Sequence, residues 1–331
     1  MGVRQESAAW AATLRRHTIP TELGLCTVRV KQGFGNGSAA ADAPEVYLHG
    51  AAGSWTSFRP LLSEASPRDR VLIDLPGWGE SSREARLEHL SIETMARAVI
   101  NVLNSLNYQR WNLVGHSMGG FLALHIAAAW PEQTASVAAI SPTTFGVSKA
   151  AREPLPSLPR FPAFVGMMLI MRSLAALGPA APALVGALGA TPLMKLLMAP
   201  FFADPPGISP EVIRGLGCDA RPACFSAAAR AVAHYDFNQW RGIRCAVLAT
   251  RGESDVFTST SDFDRLAATV PRVQTVTIPR CGHFANIEHP EKVRRLLEDL
   301  WSRAAAGGVG EFGKGPQFPV GIGLDAQVEL G

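Results

Sequence analysis

Apolar residues in this chain fall in short runs set off by glycine-rich turns, and the runs alternate with stretches of helical period. Leu23 to Val30 reads as an edge strand, with Gly33 to Gly37 as its turn. Val46-Tyr47-Leu48, Val71-Leu72-Ile73, Trp111 to Val114, Val137 to Ile140, Cys245 to Thr250 and Val273 to Ile278 have the length and apolarity of buried strands. Between them, Ser91 to Leu106, Phe121 to Trp130 and about Ser261 to Val270 read as helices. Pro290 opens a last helix that ends near Ala304. Residues 5–16 suggest a further short amphipathic helix. Alternating strands and helices argue a parallel sheet covered on both faces, an α/β fold.

The alternation stops between Pro142 and His234. Pro156 through Phe202 is dominated by Ala, Leu, Met, Phe, Gly and Pro, and reads as short helices that cap the sheet. The expected organisation is a core of residues 1–145 and 235–305, a helical cap of residues 146–234, and a disordered tail from 306 to 331. Phe161 to Met171 is the most apolar piece of the cap, but Arg160 and Arg172 bracket a run too short to cross a bilayer. A helix packed only on a sheet keeps one polar face. This segment has little of one, so part of its surface is expected to line a pocket, Met168 and Met171 included. Self-association through the same residues is the competing expectation.

Charge and cysteines narrow the setting. Formal net charge is +3 without a long basic run, so nothing points to nucleic acid. The first twenty residues hold no apolar stretch of signal-peptide length, and a cytoplasmic protein without an integral membrane segment is expected. Five cysteines, an odd number, suit a reducing compartment better than a disulfide framework. Cys218 and Cys224 are close enough in sequence to pair, and are expected to stay free.

Candidate chemistry centres on Gly115-His116-Ser117-Met118-Gly119, which has the form G-x-S-x-G between a strand and a helix. A serine on such a turn has its hydroxyl pushed above the sheet edge, and bulk two residues away on either side would collide. A serine hydroxyl is a poor nucleophile near neutral pH and needs a base oriented by an acid. His283 follows the last strand beside Gly282 and is the candidate base; His289, before Pro290, is its rival. Asp255 follows the strand ending at Thr250 and is the candidate acid, with Glu253 as runner-up. The chain order Ser117, Asp255, His283 agrees with Ser…Asp…His. Acyl transfer also needs donors for an oxyanion. The N–H groups of Met118 and of Ala51, in the loop His49-Gly50-Ala51-Ala52-Gly53, are the candidates.

With these pieces in order, the chain resembles the α/β-hydrolase superfamily of the kind with a helical cap. The matching residues are His49-Gly50, Asp74-Leu75-Pro76-Gly77-Trp78-Gly79-Glu80-Ser81, Gly115 to Gly119, Gly252-Glu253-Ser254-Asp255 and Gly282-His283-Phe284, within residues 24 to 304. The resemblance implies an eight-stranded, mostly parallel sheet with a cap inserted after the strand ending near Ser141. It implies no metal and no organic cofactor. Branches of the fold with an aspartate nucleophile do not fit Ser117. Asp204 is the one acid between Pro156 and Ser209, which disfavours amine substrates. The expected activity is hydrolysis of a carboxylic ester with a small, apolar, uncharged acyl or alcohol group. Carbon–carbon, lactone or perhydrolase chemistry at the same residues, or slow-turnover ligand binding, are the alternatives.

Overall fold

The computed structural model describes residues 13–34, 43–62, 66–82, 84–178, 180–189 and 191–305. The expected tail from 306 onward and most of the expected helix 5–16 lie outside the described residues. An eight-stranded sheet organises the molecule, in the order β1-β2-β4-β3-β5-β6-β7-β8. The strands are β1 (Arg15–Thr21), β2 (Gly24–Lys31), β3 (Glu45–Leu48), β4 (Arg70–Ile73), β5 (Trp111–His116), β6 (Thr134–Ile140), β7 (Ala246–Gly252) and β8 (Val273–Ile278). From β4 through β8 every pairing is parallel, while β1–β2 and β2–β4 are antiparallel. One expectation is corrected here. The strand expected at Leu23 to Val30 is not the edge, because β1 pairs outside it along its whole length, from Arg15↔Val30 to Thr21↔Gly24.

The central strands are buried on both faces, as parallel strands under two helical layers must be. Their period of two divides the core. Val46, Leu48, Val71, Ile73 and Leu113 face one layer, and Tyr47, Leu72 and Val114 face the other. The first layer contains α1 (Ile92–Ser105), started by a Ser91–Thr94 capping box, and α2 (Met118–Ala129). Helix α2 is buried nearly all round, which explains why it shows no polar face.

Between β6 and β7 the chain makes a helical insert. Its longer helices are α3 (Phe145–Arg152), α4 (Pro162–Ala175), α5 (Ala180–Gly189), α6 (Pro192–Met198), α7 (Pro210–Asp219) and α8 (Pro222–Ala233). Helix α9 (Thr260–Thr269) then follows β7, and α10 (Pro290–Ala305) follows β8, where Val293, Leu297, Leu300 and Trp301 form its buried stripe on the second layer. The five cysteines are free; Cys218 is exposed, and Cys224 is buried with its Sγ–H donating to the Gly77 carbonyl at 3.0 Å.

Candidate active site

Parallel strands end on one side of a sheet, and loops leaving those ends share an edge. Here β3 delivers the loop Gly50–Gly53, β5 delivers Ser117, β7 delivers Asp255 and β8 delivers His283. Register keeps these ends level: Leu48 pairs with Gly115, His116 with Ile140, Ile140 with Thr250, and Gly252 with Ile278.

Ser117 sits between β5 and α2 with φ 54 and ψ −119, a conformation that L residues seldom adopt. The expected glycines are obligatory. A Cβ on Gly115 would lie 2.1 Å from the Gly119 carbonyl oxygen, and a Cβ on Gly119 would lie 1.9 Å from that of Leu48. The turn is tied down by the Ser117 N–H, which donates to the Ile140 carbonyl at 2.9 Å.

His283 and Asp255 meet. Nδ1 of His283 lies 3.0 Å from Oδ1 of Asp255, and both side chains are almost fully buried. The same Oδ1 accepts from the N–H groups of Phe257 and Thr258 at 2.9 and 3.2 Å. Asp255 is thereby fixed by backbone, and the imidazole proton belongs on Nδ1, which leaves the lone pair on Nε2. The runners-up go elsewhere. Glu253 accepts from the Arg280 N–H at 3.1 Å, and His289 donates to the Arg280 carbonyl at 2.9 Å.

The His283 peptide is gripped from both sides. Its N–H donates 2.7 Å to the carbonyl of Phe201 in the insert. Its carbonyl accepts 3.0 Å from Nε2 of His116, the residue before the nucleophile candidate. Glu288 bridges the same parts, accepting from Gly282 N–H at 2.8 Å and from Ala203 N–H at 2.7 Å. Gly282 is needed because a Cβ there would stand 2.4 Å from the Phe201 oxygen. Phe201 stacks on Phe257, which meets the His283 ring edge-on at 4.6 Å. Sequence reasoning missed Phe201 and Glu288; the glycine beside His283 was the one signal of a close approach.

In the loop after β3, Ala52 has φ 117, so this turn is strained as well. His49 fixes it from below. Its Nδ1 donates to the Gly50 carbonyl at 2.8 Å and its Nε2 accepts from Leu75 N–H at 3.0 Å. No acceptor among the described residues takes the N–H of Ala51 or of Met118. Two unsatisfied donors at the floor of a cavity can hold an oxygen that gains negative charge. Asp74, from the stretch that carried part of the resemblance, works structurally: its carboxylate accepts from the N–H groups of Trp55 and Glu80 at 2.8 and 3.0 Å.

Over Ser117 lies a cavity of about 380 Å³ lined by Ala51, Ser117, Met118 and His283 below and by insert residues above. No Asp, Glu, Lys or Arg is among its lining residues. The expectation for the apolar insert is met in part. Met171 lines the cavity, but Met168 is fully buried in the core and Met167 takes its place on the lining. Among the described residues, no group of three or more His, Cys, Asp and Glu side chains is placed to hold a metal ion.

Burial sets the charge state around the site. It pushes the His116 ring down to about 3, with the neighbouring His283 adding to the effect, and it lowers His49 and His125 as well. In an unfolded chain these rings titrate near 6.5. Between the two values the unfolded chain takes up protons that the folded one refuses, so stability must fall as pH drops below about 6.5. Of these rings, the one at His116 contributes a slope of about 1.4 kcal/mol per pH unit between those two values. His116→Gln removes it. Urea unfolding across mildly acidic pH should show a slope shallower than wild type by about that amount; equal slopes would mean that His116 is not held neutral.

Comparisons with known proteins agree with this fold. The model of the alpha/beta hydrolase family matches residues 46–296. A 2-hydroxy-6-oxo-6-phenylhexa-2,4-dienoate hydrolase of Burkholderia cepacia is 27% identical, over 87% of this chain and 96% of that protein. A 2-hydroxy-6-oxononadienedioate/2-hydroxy-6-oxononatrienedioate hydrolase of Comamonas testosteroni is 26% identical over the same shares. Among solved structures, naproxen esterase from Bacillus subtilis superposes with a TM-score of 0.62 at 20% identity, covering 91% of this chain and 96% of that one.

Proposed function

The chain belongs to the alpha/beta hydrolase family, and on that premise we propose that it is a serine hydrolase for carboxylic esters of apolar, uncharged compounds. Ser117 Oγ attacks the ester carbonyl while Nε2 of His283 takes its proton. Asp255 holds the imidazole in the required tautomer and stabilises its charged form. The N–H groups of Met118 and Ala51 receive the oxyanion. His283 then returns the proton to the leaving alcohol, and water repeats the cycle on the acyl-enzyme. The helical insert serves as the cap that selects the substrate. No cofactor or metal enters this scheme.

The observation that carries the reading is the uncharged lining of the cavity over Ser117. The two curated relatives are named for substrates that bear one and two carboxylates. A carboxylate in this cavity would meet no cation, and a buried unpaired charge is costly. Those relatives still support a second reading, since they match most of the chain. In that reading the same residues cleave a carbon–carbon bond in an uncharged oxo compound.

A panel of p-nitrophenyl esters tests the proposal. Each further buried methylene contributes at most about 0.8 kcal/mol, or about fourfold. From acetyl to hexanoyl, kcat/KM is therefore expected to climb, and the hemisuccinate is expected to fall at least about a hundredfold below its uncharged isostere. A flat acyl-length profile, or ready turnover of the hemisuccinate, would remove the cavity from the account. Turnover of a vinylogous diketone in preference to every ester would favour the second reading.

A further inference from the structure

Nine of the eleven large apolar side chains exposed on the described residues lie between Leu155 and Leu197, so the insert carries most of these side chains. Helices α4, α5 and α6 surround the cavity through Leu174, Val185, Leu188 and Met198. Ile170 and Leu197 both line the cavity and stand 52% and 46% exposed, which makes them its rim. The cavity mouth therefore opens onto the exposed leucines. Arg160, Arg172 and Lys195 are the charged residues between Pro156 and Ala203. Arg160 and Lys195 are exposed and Arg172 is half-buried, and none of the three has an acidic partner among the described residues.

We propose that this face docks on an anionic lipid surface. A stretch rich in exposed apolar side chains, whose own charges between Pro156 and Ala203 are all cationic, has the composition of a segment that lies in a membrane interface. No single helix among the described residues is long and apolar enough to cross a bilayer, and the apolar pair Ala183–Gly189 and Pro192–Phe201 is bent by 93°. The face is thus suited to lying on a membrane. A second copy of the chain fits less well. A two-fold contact through this stretch would set its three cations against each other, and it would close the mouth. A lipid surface leaves the mouth facing the phase in which apolar esters concentrate. This last consequence rests on the ester-hydrolase reading; the docking itself does not.

The test uses the full chain with vesicles of phosphatidylcholine, alone or mixed with phosphatidylglycerol, in a flotation assay. Binding to the mixed vesicles is expected, weakened by salt. Replacing Arg160, Arg172 and Lys195 with Gln is expected to weaken it by about a hundredfold. A Leu169→Ser, Leu193→Ser, Leu196→Ser variant should also lose binding. None of its three positions lines the cavity, so it should hydrolyse a water-soluble ester at the wild-type rate. Equal binding to both vesicles, binding to neither, or a dimer dissociated by the same three serines would overturn the proposal. A wild-type protein that floats with mixed vesicles yet hydrolyses no ester would leave the docking standing and reject the ester reading.

Discussion

Ser117→Ala is expected to lower kcat by about 10⁶, the scale seen when the serine of such a triad is removed. The change deletes one oxygen and little else. Gly115 and Gly119 still permit the tight turn, whose close approaches of 2.1 and 1.9 Å come from backbone and not from the serine side chain. Alanine tolerates φ 54 no better and no worse than serine, so the local strain is unchanged. The variant should fold as wild type does, and its circular dichroism and unfolding midpoint are the controls. Activity lost together with the fold would carry no information about chemistry. Activity kept in the folded variant would mean that the nucleophile is another group.

Asp255→Asn is expected to cost about 10⁴ in kcat, through the tautomer of its partner. Oδ1 of Asp255 already accepts from two backbone N–H groups as well as from His283. Oδ2 is buried without a hydrogen-bond partner among the described residues. An asparagine there brings a buried NH₂ group and removes the negative charge that balances the imidazolium. If the NH₂ turns toward His283, the ring must accept at Nδ1 and carry its proton on Nε2, where it is of no use as a base. Steady-state kinetics should show the loss in kcat with a folded protein. Glu253→Gln is the control, because Glu253 engages the Arg280 N–H and stands apart from the imidazole. A loss in Glu253→Gln larger than in Asp255→Asn would reverse the assignment.

Why some of this was readable beforehand follows from burial. Strands β3 to β7 announce themselves because both of their faces are buried, so most positions are apolar. Strand β1 escaped notice because Ile19 is its one buried side chain. Its identity comes from backbone pairing with β2, which leaves no mark on the hydrophobic pattern, and Pro20 is tolerated in it because it is an edge strand. The expected helix over residues 5–16 therefore ends on Arg15 and Arg16, which belong to a strand.

The candidate site shows the same division. Ser117, Asp255 and His283 were legible as a candidate set because each follows a strand end, after β5, β7 and β8, and parallel strands bring those ends to one edge of the sheet. Helix α4 was legible as apolar but not in phase. It has apolar residues all round, so periodicity could not say that Met167 lines the cavity and Met168 enters the core. The clasp of Phe201 and Glu288 on the His283 loop was invisible. It joins residues more than eighty positions apart, and an exposed-looking Glu near a helix start reads as an ordinary cap.

The central claim proposed here is that Ser117 carries the activated hydroxyl. A fluorophosphonate probe with an alkyl tail, followed by peptide mapping, tests it most directly. The account predicts a single adduct on Ser117, slowed by an uncharged hexanoyl ester that competes for the same cavity and absent from Ser117→Ala. An adduct on any other residue, or labelling that persists in Ser117→Ala, would contradict it.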